Sequence, residues 1–248
     1  MSVTAIVPAA GLGRRVGGNI PKQFRLLSGM PILTRTLLNL TTSGLIDRLI
    51  VVVPPGTEDW CQKEIIASYS LPSIIEIVPG GAERQESVFL GLQRAPAGTE
   101  LVVIHDAVRP FVSSDLLRRT TEAARKFRAA VAAVPAVETV KVVESGFIRK
   151  TPSRDSIWIA QTPQTFERDL IEEGVRRAVA DGVHGTDDAM LVERLGVRVR
   201  VVLSYPENIK ITTMEDLERA EQILSRWEDA GCGSASVTTS IPSSPDAL

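Results

Sequence analysis

Short runs of apolar residues alternate with segments of helical periodicity along most of the 248-residue chain, and no other feature limits the possible folds as strongly. Val3–Pro8 and Leu101–Ile104 are rich in Val, Ile, Ala and Leu, which is typical of strands buried on both faces. Further strands of this type are predicted at Leu49–Val53, Ile74–Val78, Ala130–Val134 and Val197–Leu203. Strand–helix alternation predicts an α/β fold in which helices cover a mainly parallel sheet.

Composition and charge limit the class of protein. The hydrophobic fraction is 44% and the charged fraction 23%, as in ordinary globular proteins. A net charge of −2 gives no overall attraction to nucleic acid, so a site for polyanions must be a local concentration of Arg and Lys. Cys61 and Cys232 form no Cys-x-x-Cys pair, which argues against a disulfide framework and a structural zinc site.

The sequence predicts neither a targeting segment nor a membrane-spanning segment. The N-terminus lacks the basic and long apolar segments of a signal peptide, and no apolar run reaches the roughly 18 residues that span a bilayer. We therefore expect a cytoplasmic enzyme with no membrane and no nucleic-acid partner.

The stretch from Val137 to Ile159 departs from the alternation. Two β-like runs joined by turn residues predict a β-hairpin arm inserted at about residues 137–160. An isolated hairpin needs a surface to pack on, so the arm either contacts a partner subunit, giving a homodimer, or folds onto its own domain. Gly231–Leu248 has no periodicity, and we expect one domain over residues 1–228 and a disordered tail over residues 229–248.

The first predicted strand leads directly into the small-residue loop Pro8–Arg15, and Pro21–Gln23 follows closely. Small residues allow backbone N–H groups to approach a phosphate or a base. The nearby positive charges are those of Arg14, Arg15 and Lys22. The segment predicts an anion-binding loop, and the alternative is a βα turn with solvated cations.

Two common phosphate-binding motifs do not fit this loop. A dinucleotide-binding fingerprint would require glycine at position 16, which is Val16, and a P-loop would require Lys-Ser or Lys-Thr after its last glycine. Gly18 is instead followed by Asn19. The loop therefore predicts a nucleotide site of another type.

A second motif, His105–Pro110, follows the predicted strand that ends at Ile104. Ligands of open α/β sheets bind at the carboxyl edge of the strands, where Asp106 could supply an oxygen ligand to Mg²⁺. The alternative is that Asp106 caps the turn and pairs with Arg109. We expect His105 to be a packed or hydrogen-bonded neighbour and not an acid–base catalyst.

A third motif, Gly80–Ser87, is another glycine loop at a strand–helix junction. Paired glycines allow the backbone to approach a flat base edge, although Ser87 could simply cap the helix. Further polar residues lie near predicted element ends: Arg154, Thr162, Thr186–Asp188 and Asn208–Lys210. Taken singly, each of these has a structural explanation.

Together, these segments resemble the 2-C-methyl-D-erythritol 4-phosphate cytidylyltransferase family of the non-mevalonate isoprenoid pathway. The matching stretches occur in the family's order from Val3 to about Trp227. The resemblance implies a Rossmann-like nucleotidyltransferase fold with an inserted arm, a homodimer joined through that arm, and CTP and a sugar-alcohol phosphate as substrates with Mg²⁺ as cofactor.

The resemblance also implies roles for individual residues. The cytidine pocket would be lined by Ala9, Ala10, Gly11, Gly81, Ser87 and Ala107. The triphosphate and the transition state would be held by Arg15 and Lys22, and the metal by Asp106. The methylerythritol phosphate would be surrounded by Arg109, Thr139, Arg154, Thr162, Thr186 and Lys210, with Arg154 and Lys210 orienting its attack.

Three other interpretations remain open at this level. A ribitol 5-phosphate cytidylyltransferase would share the framework and use a different acceptor. A sugar-nucleotide transferase for UTP or GTP usually begins Gly-x-Gly-Thr-Arg, whereas this loop has no Thr. A protein that kept the fold and lost catalysis should have replaced Arg15, Lys22 or Asp106, and all three are present.

Overall fold

A computed structural model describes residues 2–11 and 20–229 of the chain. The strands are β1 (Ser2–Pro8), β2 (Leu26–Leu27), β3 (Met30–Pro31), β4 (Arg48–Val53), β5 (Ile75–Pro79), β6 (Thr99–Ile104), β7 (Ala129–Pro135), β8 (Val142–Glu144), β9 (Phe147–Lys150), β10 (Trp158–Glu167) and β11 (Arg200–Leu203). The helices are α1 (Ile32–Thr42), α2 (Glu58–Cys61), α3 (Arg84–Arg94), α4 (Ser114–Phe127), α5 (Arg168–Ala180), α6 (Asp188–Glu193) and α7 (Met214–Asp229).

Seven of these strands form one sheet in the order β11-β7-β10-β6-β1-β4-β5. The pairs β1–β4, β1–β6, β4–β5 and β7–β11 are parallel, and β10 runs antiparallel to both of its neighbours. The predicted α/β class with a mainly parallel sheet is therefore confirmed. Each predicted strand is present, with boundaries displaced by a few residues at most.

The strand β10 is the main element that the sequence pattern did not predict. Its first residues were assigned to the arm, whereas the structure places Trp158–Glu167 in the interior of the sheet between β6 and β7. Pro163 has no N–H to donate, and the register against β7 shifts between Ala160 and Gln164, where proline is tolerated in a strand. The sequence of β10 is irregular and polar, so it does not predict a strand. The strand forms because it pairs with segments that are distant in the sequence.

The predicted arm contains a hairpin, but its strands differ from the predicted pair. β8 and β9 pair antiparallel within the first β-like run, and the second run begins β10. Ser145 and Gly146 connect β8 to β9 with φ values of 52° and 83°, as a two-residue hairpin turn requires. The polar residues between the two predicted β-like runs therefore do not form the hairpin turn.

Helices cover both faces of the sheet. One cluster of buried side chains joins α1 and α4 to the sheet, and a second joins α3, α5 and α6 to its other face. A third cluster packs α7 against the segment around Phe111, whose ring meets Trp227 edge-on with centroids 5.3 Å apart. This packing holds the loops at the carboxyl edge of the sheet in fixed positions.

The start of α7 shows why the chain enters a helix there. Thr213 Oγ1 accepts a hydrogen bond from Asp216 N at 3.2 Å, and Asp216 Oδ2 accepts from Thr213 N at 2.9 Å. This reciprocal arrangement satisfies N–H groups that the first turn leaves unpaired, so Thr213 is the N-cap of α7. Asp229 ends α7, and the remainder of the predicted tail, residues 230–248, lies outside the described residues. No helix within residues 2–11 and 20–229 is both long enough and apolar enough to cross a membrane.

Gly91 lets α3 lie close to the sheet, and we expect Gly91→Ala to destabilise the protein. A Cβ at this position would lie 2.7 Å from Ile6 Cγ2 and 3.2 Å from Val52 Cγ2. Overpacking of this kind typically costs about 1–3 kcal/mol of unfolding free energy, which urea denaturation would measure. Gly98→Ala is the control, because a Cβ there meets nothing within 4 Å. Equal losses in the two variants would contradict the prediction.

Candidate active site

The loop after β1 is held by a buried glutamine. Gln23 is 2% exposed, and its Nε2 donates to the carbonyl oxygens of Ala9 at 2.6 Å and Gly11 at 3.0 Å. These bonds occupy two carbonyl groups that would otherwise repel an approaching phosphate. Lys22 precedes Gln23 in the short 3₁₀ turn Lys22–Phe24, so the side chain that organises the loop and a candidate catalytic cation share one rigid turn.

The loop after β5 lies against the loop after β1. A Cβ on Gly80 would lie 2.4 Å from Ala10 Cβ, so the close approach of the two loops requires glycine at position 80. Ser87 is 2% exposed; its Oγ accepts from Gly81 N at 3.3 Å and donates to Glu83 O at 3.1 Å. Ser87 thus shapes the glycine loop as well as the start of α3.

Asp106, directly after β6, is the centre of a charged cluster. Its Oδ2 lies 2.9 Å from Lys210 Nζ and 3.4 Å from Arg109 Nε, and its Oδ1 lies 3.4 Å from Arg84 Nε. Burial by itself would raise the pKa of Asp106, but the charges of Arg84, Lys210 and Arg109 outweigh it and hold the pKa well below its ordinary value. Asp106 is therefore an anion at any physiological pH.

Hydrogen bonds around His105 fix the backbone that carries Asp106. His105 Nε2 lies 3.0 Å from the carbonyl oxygen of Arg109, which can only accept, so this nitrogen carries the proton. Nδ1 then accepts from the hydroxyl of Thr162 at 3.0 Å, and Thr162 Oγ1 accepts from Asp106 N at 3.0 Å. Both ring nitrogens are engaged and the ring is fully buried, so the expectation that His105 is a structural neighbour is confirmed.

Burial of His105 makes the stability of the ligand-free protein dependent on pH. Burial lowers the pKa of His105 from 6.5 to about 4, so between these values the unfolded chain binds more protons than the folded one. The unfolding free energy should therefore fall as the pH is lowered from 6.5 towards 4, by up to about 3 kcal/mol. Urea denaturation at several pH values without magnesium or nucleotide would measure this slope.

Two variants isolate the contribution of His105 to this slope. His105→Gln should flatten it, and His184→Gln, which alters the only other histidine and an exposed one, should leave it unchanged. The assignment to His105 would be wrong if its replacement left the slope as steep as in the wild type.

The two glycine loops and the charged cluster enclose a cavity of about 210 Å³. It brings together predicted residues from four separate parts of the sequence: Ala9, Ala10, Gly11, Lys22, Gly81, Ser87, Asp106, Ala107 and Lys210. Backbone loops on one side and cations on the other suit a ligand that combines a flat base with a polyphosphate.

Other predicted residues do not line this cavity, although Arg109 and Thr162 both contact Asp106. Arg109 is 8% exposed and donates from Nη1 to Asn208 O at 2.7 Å, and Thr162 is 4% exposed. Thr139 and Arg154 are exposed on the arm, where Arg154 Nη1 donates to Val137 O at 3.1 Å. Thr186 is exposed near the start of α6. Arg15 lies outside the described residues, so its predicted role stays a prediction.

Several residues of this site lie in the predicted motifs but had no predicted role. Gln23 and Arg84 line the cavity. Asn208 is fully buried, and its Nδ2 donates to Gln161 Oε1 and to Thr162 O, each at 2.9 Å. In the sequence Gln23 follows Lys22 and Asn208 lies two residues before Lys210, whereas the only signal for Arg84 was its position inside the Gly80–Ser87 motif.

The donor set defines which metal ion the cavity could take. Within residues 2–11 and 20–229, no group of three or more His, Cys, Asp or Glu side chains could hold a metal ion. Asp106 nevertheless offers a hard carboxylate oxygen beside the cavity, and Mg²⁺ commonly binds one or two carboxylates together with phosphate oxygens of a substrate. The site therefore fits a magnesium ion that binds with a nucleotide.

Comparison with known proteins agrees with this geometry. Residues 3–226 match the family model described as 2-C-methyl-D-erythritol 4-phosphate cytidylyltransferase. The protein of that name from Geobacter metallireducens is 49% identical over 228 residues, covering 90% of this chain and 98% of the relative. The one from Syntrophus aciditrophicus is 50% identical over 227 residues, covering 91% of this chain and 97% of the relative.

Solved structures support the same assignment. The 4-diphosphocytidyl-2C-methyl-D-erythritol synthase from Anaerococcus prevotii is 32% identical with a TM-score of 0.81, covering 91% of this chain and 96% of that one. The 2-C-methyl-D-erythritol 4-phosphate cytidylyltransferase from Thermus thermophilus is 33% identical with a TM-score of 0.73, covering 90% of this chain and 98% of that one. Since sequence, fold and cavity agree over nearly the whole chain, it belongs to the 2-C-methyl-D-erythritol 4-phosphate cytidylyltransferase family.

Proposed function

We propose that the chain transfers CMP from CTP to 2-C-methyl-D-erythritol 4-phosphate, giving 4-diphosphocytidyl-2-C-methyl-D-erythritol and pyrophosphate. The observation that carries this proposal is the cavity in which two glycine loops face Lys22, Lys210 and Asp106. Family membership favours methylerythritol phosphate over ribitol 5-phosphate as acceptor. The proposal assigns the reaction to the cytoplasm.

Charge neutralisation is the main requirement of this reaction. A phosphate oxygen of the acceptor attacks the α-phosphorus of CTP, a new P–O bond forms, and the bond to the β-phosphate breaks as pyrophosphate leaves. The nucleophile is already an anion, so no strong general base is needed. Two unit negative charges about 4 Å apart repel by about 4 kcal/mol at an effective dielectric of about 20. In our proposal Arg15 and Lys22 offset this repulsion and stabilise the transition state.

The cytidine of CTP and the phosphate of the acceptor are assigned to different sides of the cavity. The backbone of Ala9–Gly11 and of Gly81, with Ser87 and Ala107, would hold the cytidine. Asp106 would bind Mg²⁺ together with the triphosphate, and the ion would withdraw charge from the phosphate oxygens. Lys210, which pairs with Asp106 in this structure, would then orient the acceptor phosphate with Arg154.

A homodimer joined through the arm completes the proposal. The apolar side chains of the hairpin are exposed, with Phe147 79%, Ile148 62% and Val143 58% accessible, and such a surface favours a protein partner. Thr139 and Arg154 are exposed on the same arm and do not line the cavity of their own chain. Exchange of arms would allow them to reach the acceptor side of the partner's cavity.

One experiment tests the proposed reaction against its alternatives. Pyrophosphate release should be measured with each of the four nucleoside triphosphates, with methylerythritol phosphate, with ribitol 5-phosphate and without acceptor, and products should be identified by mass spectrometry. We expect release only with CTP, magnesium and methylerythritol phosphate. A preference for ribitol 5-phosphate, or for another nucleotide, would overturn the assignment.

A further inference from the structure

Arg84 and Asp188 form an ion pair that the proposed reaction does not use, in which the carboxylate is buried and the arginine side chain is 34% exposed. Arg84 is the first residue of α3 and Asp188 the first residue of α6. The guanidinium binds the carboxylate through two bonds, Nη1 to Oδ1 at 3.0 Å and Nη2 to Oδ2 at 2.7 Å. Asp188 is 1% exposed and does not line the cavity. The pair joins two motifs that are 104 residues apart.

The remaining edge of the guanidinium faces Asp106. Arg84 Nε lies 3.4 Å from Asp106 Oδ1, so one planar group contacts two carboxylates. A forked pair fixes the plane of the guanidinium, and that plane determines where Nε points. A buried carboxylate lowers stability unless it is paired and hydrogen-bonded. The bond to Arg84 is therefore what allows Asp188 to be buried at this position. Burial by itself would lower the pKa of Arg84, but the carboxylates of Asp188 and Asp106 raise it above its ordinary value, so the cation is permanent.

The three cations around Asp106 differ in how they are anchored. Arg109 is held by the carbonyl oxygen of Asn208, and Arg84 is held by Asp188. Lys210 contacts Oδ2 at 2.9 Å and, unlike the two arginines, has no second side-chain anchor within the described residues, so it is the cation that can leave when an acceptor phosphate or a metal ion arrives. Once Lys210 has moved, Arg84 and Arg109 are the groups that keep the carboxylate in place.

We propose that Arg84 and Asp188 act as a positioning pair, in which Asp188 fixes the guanidinium of Arg84 so that it holds Asp106 in the orientation that binds the magnesium–nucleotide complex. The inference rests on the proposed function. Neither residue needs to contact the reacting atoms; both act through Asp106. Outer groups that orient a metal-binding carboxylate typically contribute tenfold to hundredfold to metal affinity or activity.

The test uses Asp188→Asn, which preserves shape and removes the charge, and Arg84→Lys, which preserves the charge and removes the fork. Each should lower kcat by about tenfold to hundredfold and raise the magnesium concentration needed for half-maximal CTP binding by a similar factor, measured by calorimetry without acceptor. The double variant should lose no more than the worse single variant, since the two residues act as one unit. Effects that multiply, or wild-type magnesium dependence in folded Asp188→Asn, would overturn the proposal.

Matched controls come from a second Arg–carboxylate pair, whose arginine lies on the same helix and whose glutamate lies in β5. Arg94 binds Glu76 through Nε at 2.8 Å and Nη2 at 2.5 Å, at the other end of α3 from the cavity. Arg94→Lys and Glu76→Gln should stay within about twofold of the wild type, because exposed pairs contribute little. Losses as large as those of the Arg84 and Asp188 variants would mean that any disturbance of α3 suffices, and would contradict the inference.

A further variant covers the case in which Asp188→Asn fails to fold. Replacing both members by apolar residues, Arg84→Met with Asp188→Leu, avoids an unpaired buried charge and is often tolerated. This folded variant should show the same raised magnesium requirement, and an unchanged one would overturn the proposal. If the wild type forms no product from CTP and methylerythritol phosphate, the proposed reaction fails, whereas calorimetry with CTP and magnesium still tests the pair.

Discussion

Lys22→Ala should lower turnover by about 10²- to 10³-fold while leaving the fold intact. Lys22 lines the cavity, where the proposed mechanism places the negative charge that develops as pyrophosphate departs. Removing one preorganised charge donor from a transition state typically costs this much. The KM for CTP should rise far less than kcat falls, because the lysine acts mainly on charge that develops during the reaction.

Lys63→Ala provides the control for a lost surface lysine. The side chain of Lys63 is 82% exposed and lies 3.6 Å from Glu64, so its removal should change neither kcat nor KM. Steady-state pyrophosphate release and thermal denaturation of both variants give the comparison. Near-wild-type turnover in Lys22→Ala would remove this residue from the proposed mechanism.

The second large effect is expected for Asp106→Asn. The substitution keeps the shape of the side chain but removes the carboxylate that faces Lys210, Arg84 and Arg109. Loss of the proposed magnesium ligand should lower turnover by about 10²-fold or more. Unfolding free energy should also fall by about 1–3 kcal/mol, because three buried or half-buried cations lose a charged hydrogen-bond acceptor.

CTP binding with and without magnesium distinguishes the loss of a metal ligand in Asp106→Asn from its loss of stability. Without magnesium, CTP should bind the variant at least as tightly as the wild type, since the triphosphate meets one negative charge fewer. With magnesium, the gain in affinity seen in the wild type should be lost. Asp115→Asn, on the surface of α4 with a 59% exposed side chain, should behave as the wild type. Weaker binding of metal-free CTP by Asp106→Asn would contradict a metal-binding role.

The central motifs show how much of the site contiguous sequence could predict. The glycine loop Ala9–Gly11, Lys22, Asp106 and Lys210 were assigned to one site from separate parts of the chain, and the structure brings them to one cavity. This succeeded because the carboxyl ends of parallel strands meet at one edge of a sheet, so short local patterns carry positional information. Other roles stay predictions, because the residues concerned do not line this cavity or lie outside the described residues: Thr139, Arg154, Thr186 and Arg15.

By itself, the sequence determined the α/β class, most strands and the positions of the glycine loops, since hydrophobic periodicity and glycine content are local properties. Tertiary structure decided what depends on distant segments. It placed β10 antiparallel between β6 and β7, moved the hairpin turn to Ser145–Gly146, and paired Arg84 with Asp188. A strand interrupted by proline, or a salt bridge between two helix starts, gains its stability only from partners that the fold brings together, and no local pattern records those partners.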